Sequence, residues 1–169
     1  MPKKHLIFIG MPGCGKSSVG AQTAAALGLP FVDADVAFDA HYGITPAACI
    51  TAEGEDAFRA KESALLCTLL AASEPFVLAC GGGIVEREVN IDTMRQNGLV
   101  VFLERPLRDL ATEGRPLSAR HGVDALWARR APLYRRAAHR TIAARESVVQ
   151  TAQAILELLK GEFPHDQNL

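Results

Sequence analysis

The sequence predicts an α/β fold in three layers, with a central parallel sheet flanked by helices. Short apolar runs, such as residues 5–9 and 99–103, alternate with segments whose apolar residues recur at helical spacing. This alternation is typical of βαβ units, which have parallel strands and right-handed crossovers. The 169 residues, of which 49% are apolar, are enough for a genuine core. We therefore expect a single domain over residues 1–169.

The first half of the chain contains three predicted strands separated by helices. Apolar runs bounded by Gly, Pro or acidic residues predict the strands, and longer segments with helical periodicity predict the helices. In chain order, these elements are a strand at 5–9, a helix at 16–27, a strand at 31–32, a helical stretch at roughly 36–52, a helix at 57–72 and a buried strand in PFVLAC.

The second half begins with a helix in IDTMRQN, which ends at a glycine, and a strand at 99–103. Residues 105 to about 130 are rich in Arg, poor in β-branched residues and interrupted by Gly and Pro, which favours a mobile surface excursion. The chain then returns to helix in APLYRRAA and forms a short strand in RTIAA. A closing amphipathic helix is predicted at 147–160.

Charge and composition exclude several classes of partner. Lys and Arg total 18 and Asp and Glu total 19, so the chain has no charge excess that would attract nucleic acid or an anionic membrane. No signal peptide precedes the first strand and no apolar run approaches 18 residues, so we expect a cytoplasmic protein. The four cysteines form no CxxC pair, and we expect reduced thiols that are buried or line a pocket.

The segment GMPGCGKS, residues 10–17, matches the pattern G-x-x-x-x-G-K-[ST] between a strand and a helix. Glycines let successive backbone N–H groups turn toward a β-phosphate, and the helix N-terminus adds its positive dipole. Lys16, expected on the solvent side, would reach the β- and γ-phosphates, and Ser17 would bind Mg²⁺. The predicted nucleotide-binding residues are Gly13, Cys14, Gly15, Lys16, Ser17 and Ser18.

Two further groups of residues follow strand ends. Asp33 and Asp35 are two residues apart at the end of the second strand, so both side chains are expected on the same side of the sheet. Gly81–Gly83 follow the buried strand PFVLAC and allow a ligand to approach the backbone closely. Because ligands of parallel sheets bind beyond the carboxyl ends of the strands, these groups should converge on the phosphate loop.

Six motifs together resemble the shikimate kinases, a family with the nucleoside-monophosphate-kinase-like P-loop fold. The resemblance spans nearly the full chain, and the motifs occur in family order: GMPGCGKSS, DAD (33–35), FRAKE (58–62), GGG (81–83), RPL (115–117) and RAPLY (130–134). Each short motif alone is weak, whereas six in order are specific. The resemblance implies a monomeric enzyme with a short lid at about 108–127.

The reaction that this resemblance implies is phosphorylation of the 3-hydroxyl of shikimate by ATP with Mg²⁺, in aromatic amino-acid biosynthesis. Shikimate would be the small-molecule partner, and ATP the phosphoryl donor. In this reaction Lys16, Asp35 and Arg115 would be the catalytic residues. Arg115 matches the lid arginine, which can stabilise the charge on the transferred group as the lid closes and excludes water.

The resemblance also assigns the ligands of the metal and of the acceptor. Asp33 would serve Mg²⁺ through water together with Ser17, and Asp35 would bind the acceptor hydroxyls. The carboxylate of shikimate would be bound by Arg59 and Arg130, and its ring hydroxyls by the glycines Gly81, Gly82 and Gly83. Arg59 and Glu62 are three residues apart on a helix and can form an ion pair that fixes the guanidinium, which suits bidentate binding of a carboxylate.

The chain departs from the family pattern around the lid. Fewer residues separate GRPL from RAPLY than is usual, and Thr112 and Glu113 stand where the family tends to carry an adenine-stacking arginine. Arg108 is a weak candidate for that role. In the loop before the final helix, AARES, which would contact adenine, Arg145 is a weak candidate. Two alternatives remain open: another small-molecule P-loop kinase of the gluconate type, and a catalytically silent binding protein.

Overall fold

The structure is a computed structural model that describes residues 5–110 and 119–162. The strands in these ranges are β1 (His5–Ile9), β2 (Phe31–Asp33), β3 (Val77–Ala79), β4 (Gly98–Glu104) and β5 (Arg140–Ala143). They form one sheet in the order β2-β3-β1-β4-β5, and every neighbouring pair is parallel. The predicted α/β fold with a central parallel sheet is confirmed.

Helices connect all the strands. Those in the described ranges are α1 (Lys16–Leu27), α2 (Ala34–Tyr42), α3 (Pro46–Glu53), α4 (Glu55–Leu70), α5 (Glu88–Asn97), α6 (Ala119–Ala137) and α7 (Val148–Leu158), with short 3₁₀ turns at Ile84–Glu86 and Leu107–Asp109. Helix α1 packs against α7, whereas α5 packs against both α4 and α6, so the helices form two groups around the sheet. Within residues 5–110 and 119–162, no helix combines the length and apolar composition that a membrane span requires.

The core lies in the middle of the sheet. All of β1 and all but the last residue of β4 are buried, as expected for parallel strands that are covered on both faces. Phe102 of β4 stacks on Tyr134 of α6 with ring centroids 5.1 Å apart, which fixes α6 to the sheet. The segments that follow the carboxyl ends of β1 and β4 are therefore anchored to a tightly packed core.

The single helical stretch predicted at 36–52 is wrong, because this segment forms two helices. Helix α2 begins at Ala34, where the Asp33 side chain accepts from two amides of the first turn. It ends at Tyr42, and the following Gly43, whose φ of 68° is left-handed, is its C-cap. Thr45 then caps α3, and Pro46 occupies its first turn. The glycine that caps the end of α2 and the Thr-Pro pair that begins α3 are both signals that a sequence carries.

The surface excursion predicted from 105 to about 130 is also wrong over its second half. Helix α6 is already formed at residue 119 and runs without interruption to Ala137, with Pro132 inside it. Val123, Leu126 and Trp127 pack against the core from one side of this helix. Spacings of three and four residues place them on one face, and this pattern favours helix despite the arginines between them.

The cysteines follow the expectation with one exception. All four are free thiols, and Cys14, Cys49 and Cys80 are buried. Cys67 is exposed on α4, so the expectation that every cysteine is buried or lines a pocket is wrong for this residue. Burial raises the pKa of the Cys80 thiol, and the nearby Glu62 carboxylate adds to this effect. Cys80 is thus a packed residue rather than a reactive thiol.

Candidate active site

The phosphate-binding loop, residues 10–15, follows β1 and leads directly into α1. Gly13 and Gly15 have φ angles of 79° and 98°, a conformation that glycine adopts without strain. Gly15 is the N-cap of α1 and, having no side chain, leaves the first amide groups of the helix open to a ligand. Ser17 and Ser18 are exposed in the first turn, whereas Cys14 is buried beneath the loop.

Lys16 is buried, not on the solvent side of the loop as the sequence analysis expected. Only 8% of its surface is exposed, and its Nζ donates to the carbonyls of Gly10 at 2.8 Å and Met11 at 2.9 Å. The Sγ of Cys14 lies 3.8 Å from the same nitrogen. The two carbonyls replace the water that the buried ammonium loses. The ammonium in turn links two residues at the start of the loop to the first residue of α1.

Ser17 and Asp33, the two predicted metal ligands, are in direct contact. The Ser17 hydroxyl donates to Oδ2 of Asp33. The other oxygen, Oδ1, accepts from the amides of Asp35 at 2.9 Å and Val36 at 3.3 Å, which caps α2. The capping bonds hold the Asp33 carboxylate at the mouth of the phosphate loop.

Asp35 lies near the glycine turn, as predicted, but it belongs to a different element of the fold from the predicted one. It lies in the first turn of α2, not on the strand, so the alternation argument for its direction is wrong. An added Cβ at Gly81 would lie 3.3 Å from its Oδ1. The cleft around Asp35 desolvates the carboxyl and raises its pKa; Asp33 raises it further, whereas Lys16 and Arg59 lower it.

Arg59 and Glu62 form the predicted ion pair on α4, with Nη1 and Oε1 2.9 Å apart. Glu62 is 8% exposed, and burial raises the pKa of its carboxyl while Arg59 lowers it. Glu55 and Glu86 lie 3.5 Å from Nη2 of Arg59. The buried Nε of Arg59 has no hydrogen-bond partner among the described residues, so the guanidinium keeps an unused donor.

Two glycines after β3 are required by their neighbours. A Cβ at Gly82 would lie 2.6 Å from Cδ of Pro12 and 3.1 Å from Nη1 of Arg130. A Cβ at Gly83 would lie 2.5 Å from Cζ of Arg59. The distances to Pro12 and Arg59 are shorter than real Cβ atoms show, and the distance to Arg130 is tighter than most. The absence of side chains therefore lets the phosphate loop and both arginines meet at this turn.

Glu86 is a residue of this site that the sequence analysis missed. Its Oε1 accepts from Nε of Arg130 at 3.1 Å and from Nε of Arg129 at 2.8 Å. Burial alone would raise the pKa of Glu86, but the hydrogen bonds from Arg130 and Arg129 outweigh it and lower that pKa. Its position three residues after the last glycine was the only available signal.

Tyr134 and Arg105 were also missed. The Tyr134 hydroxyl donates to the carbonyl of Gly82 at 2.6 Å. Arg105, directly after β4, donates from Nε to the carbonyl of Cys14 in the phosphate loop at 3.1 Å. Tyr134 stood within the RAPLY motif and Arg105 at a strand end, so both positions carried a signal that was not used.

Arg115, predicted as the lid arginine, lies outside the described residues, as do Thr112 and Glu113. Of the predicted lid at about 108–127, the structure describes residues 108–110 and the start of α6. Arg108 is 83% exposed at its side chain and lies 4.0 Å from Asp109. Arg145 lines an open groove between β5 and α7 with Glu146.

Comparisons with known proteins agree with one another. The family model described as shikimate kinase matches residues 12–160. A shikimate kinase from Thioalkalivibrio sulfidiphilus is 38% identical over 178 residues, covering 97% of this chain and 93% of the relative. One from Clostridium botulinum is 35% identical over 146 residues, covering 83% and 87%.

A solved structure agrees as well. Shikimate kinase from Acinetobacter baumannii in complex with shikimate is 32% identical and superimposes with a TM-score of 0.86, covering 94% of this chain and 93% of that one. The family model, the relatives and the fold lead to one conclusion: this chain belongs to the shikimate kinase family.

Proposed function

We propose that the protein transfers the γ-phosphoryl group of ATP to the 3-hydroxyl of shikimate, giving shikimate 3-phosphate and ADP. The observation that carries this proposal is the contact of Gly82 with both Pro12 of the phosphate loop and Arg130. A nucleotide on the loop and a carboxylate on the arginines would therefore be neighbours. Membership in the shikimate kinase family supports the choice of acceptor.

The phosphate loop would bind the β- and γ-phosphates of ATP. Its amide groups and the N-terminus of α1 provide the donors, and Lys16 provides the positive charge. Because Nζ of Lys16 is bonded to the carbonyls of Gly10 and Met11, it would exchange at least one of these bonds for a phosphate oxygen. This ammonium would then stabilise charge that develops during transfer.

Ser17 and Asp33 would hold Mg²⁺, Ser17 directly and Asp33 through water. Their hydroxyl and carboxylate are hard oxygen donors, which suit Mg²⁺, and they already contact each other. Among residues 5–110 and 119–162, no group of three or more His, Cys, Asp or Glu side chains could hold a metal. The two donors Ser17 and Asp33 fit an ion that is shared with the nucleotide phosphates. When bound, Mg²⁺ partly neutralises the charge of these phosphates.

The acceptor would bind at the glycine turn, next to the arginines rather than to the phosphate loop. Arg59 and Arg130 would hold its carboxylate, and Gly81–Gly83 would face its ring. Asp35 would bind the reacting hydroxyl and orient it for in-line attack, since positioning dominates catalysis of phosphoryl transfer. A raised pKa also makes the Asp35 carboxylate a better proton acceptor than an ordinary aspartate. Arg115 would complete the site from the lid.

A coupled assay of ADP release tests this proposal. The protein is incubated with ATP and Mg²⁺ alone, with shikimate and with gluconate. We expect release that depends on shikimate, because two arginines and a closed glycine turn suit a compact cyclic carboxylate. Release that requires gluconate would support a gluconate-type kinase. No release with either acceptor would overturn the proposal and favour a silent binding protein.

A further inference from the structure

Glu86 occupies the centre of the arginine cluster that the acceptor would meet. It ends the 3₁₀ turn Ile84–Glu86, which follows the glycine turn directly. Its carboxylate contacts three arginines from two helices: Arg130 and Arg129 of α6 through Oε1, and Arg59 of α4 through Oε2 at 3.5 Å. Only 17% of the Glu86 side chain is exposed, so its carboxylate faces the arginines rather than solvent.

Glu86 contacts one part of the Arg130 guanidinium, which also interacts with the Tyr134 hydroxyl. Glu86 accepts from Nε, at the inner end of the group. The terminal Nη1 instead points toward Gly82, where an added Cβ would lie 3.1 Å away. A carboxylate held at Nε thus fixes the rotation of the guanidinium plane, with a terminal nitrogen directed at the acceptor turn.

Charge gives a second reason for this arrangement. Arg130 is 6% exposed, and a buried cation is costly unless an anion accompanies it. Arg59 brings a second positive charge to the same turn, since both guanidinium groups contact its glycines. Without Glu86, repulsion between the arginines would favour rotation of Arg130 away from the turn. Arg59 pairs with Glu62 through Nη1, and Arg130 also interacts with the Tyr134 hydroxyl. Among the described residues, however, Glu86 is the one carboxylate within ion-pair distance of Arg130.

We propose that Glu86 is a positioning residue for the acceptor, which acts through Arg130. It holds the guanidinium toward Gly82 and so determines how tightly the acceptor carboxylate binds, without contacting the nucleotide site. The proposal rests on the proposed function for the nature of the acceptor. In the opposite role, the Glu86 carboxylate would compete with the acceptor for the arginines until the acceptor displaces it. Removal of Glu86 would then lower the KM for the acceptor instead of raising it.

Steady-state kinetics of Glu86→Ala, Glu86→Gln and Glu88→Ala separate these roles. Glu88 is the matched control, because its carboxylate also pairs with an arginine of α6, Arg136, but away from the acceptor turn. We expect Glu86→Ala to raise the KM for shikimate by at least about tenfold, as loss of a buried ion-pair partner does. The KM for ATP should change by less than about twofold.

Glu86→Gln provides the test if the alanine variant does not fold, since its amide oxygen can still accept from Arg130. It should raise the KM for shikimate by about threefold or more, with a circular dichroism spectrum like that of the wild type. A lower KM in either variant would establish the competitor role and overturn the proposal. So would an unchanged KM, or an equal rise in Glu88→Ala. Wild-type protein without shikimate-dependent turnover would instead disprove the proposed function.

Discussion

The hydroxyl of Tyr134 donates a hydrogen bond of 2.6 Å to the carbonyl of Gly82, which links α6 to the acceptor turn. Sδ of Met11 in the phosphate loop lies 3.9 Å from the same hydroxyl. Burial raises the pKa of Tyr134, although Arg130 acts against this, so the phenol keeps its proton at neutral pH. One buried hydroxyl thus touches both halves of the candidate site.

Tyr134→Phe should weaken both the fold and acceptor binding. Loss of a buried hydrogen bond lowers the free energy of unfolding by about 1 kcal/mol, measured by urea denaturation. The KM for shikimate should rise because the Gly82 carbonyl loses its donor. Tyr42→Phe is the control, since its hydroxyl also donates to a backbone carbonyl, that of Lys61, which is not part of the turn. A Tyr134 variant that matches Tyr42→Phe in KM would show that the hydroxyl serves stability only.

Lys16→Met should abolish phosphoryl transfer and also destabilise the protein. Because Lys16 is buried, we expect a loss of stability in addition to the loss of activity. Without Nζ, the Gly10 and Met11 carbonyls lose their donor, which costs about 1–2 kcal/mol of unfolding free energy. The coupled assay and a urea titration measure the two effects. Retained activity would contradict the assignment of the phosphate loop.

Asp35→Asn should lower kcat by at least about 10²-fold if the carboxylate acts as an anion. Because the pKa of Asp35 is raised, wild-type activity should fall on acidification at a pH above the ordinary value for aspartate. This acid limb of the pH profile of kcat/KM should be absent in the variant. Unchanged kcat and unchanged KM for shikimate would mean that the acceptor binds elsewhere.

The stability of the Asp35 variant is a control on that interpretation. A folded-state pKa above the unfolded one means that ionised Asp35 opposes folding, so its contribution to stability falls as pH rises through this interval. Asparagine carries no charge to desolvate. We therefore expect Asp35→Asn to be at least as stable as the wild type at neutral pH, and a large loss of stability would indicate a structural role.

Arg105→Ala should raise the KM for ATP by about tenfold and leave the KM for shikimate nearly unchanged. Arg105 braces the phosphate loop through the Cys14 carbonyl, and hydrogen bonds from charged groups contribute more than neutral ones. Arg140→Ala is the matched control, because Arg140 begins β5 and pairs with Glu162 rather than with the phosphate loop. Equal effects of the two variants on the KM for ATP would contradict this role.

Local patterns predicted the fold and part of the site, and contacts between distant segments explain the rest. A local motif predicted the glycines and Lys16 of the phosphate loop, and spacing predicted the ion pair of Arg59 and Glu62. The place of that pair in the acceptor site came from the family resemblance. Arg105 bonds to a residue 91 positions earlier, and no periodicity in a single sequence encodes such a contact. The same applies to Glu86 with Arg130, 44 positions apart.

The burial of Lys16 and the helical position of Asp35 could not be predicted for a related reason. Lys16 is satisfied by loop carbonyls, whose direction depends on the φ angles of the glycines. Asp35 was assigned to a strand because two alternating aspartates fit one, but the Asp33 side chain begins a helix there. In both cases a polar group bonded to the backbone overrode the pattern of side chains.

In the proposed reaction, phosphate moves from ATP to the 3-hydroxyl of a cyclic carboxylate bound between Arg59, Arg130 and the glycine turn. Phosphorus NMR of a reaction containing the wild-type protein, ATP, Mg²⁺ and shikimate tests it most directly. We expect a new phosphate monoester resonance coupled to the ring proton at carbon 3, appearing with ADP in equal amounts. ADP with inorganic phosphate alone, or a monoester at another hydroxyl, would contradict it.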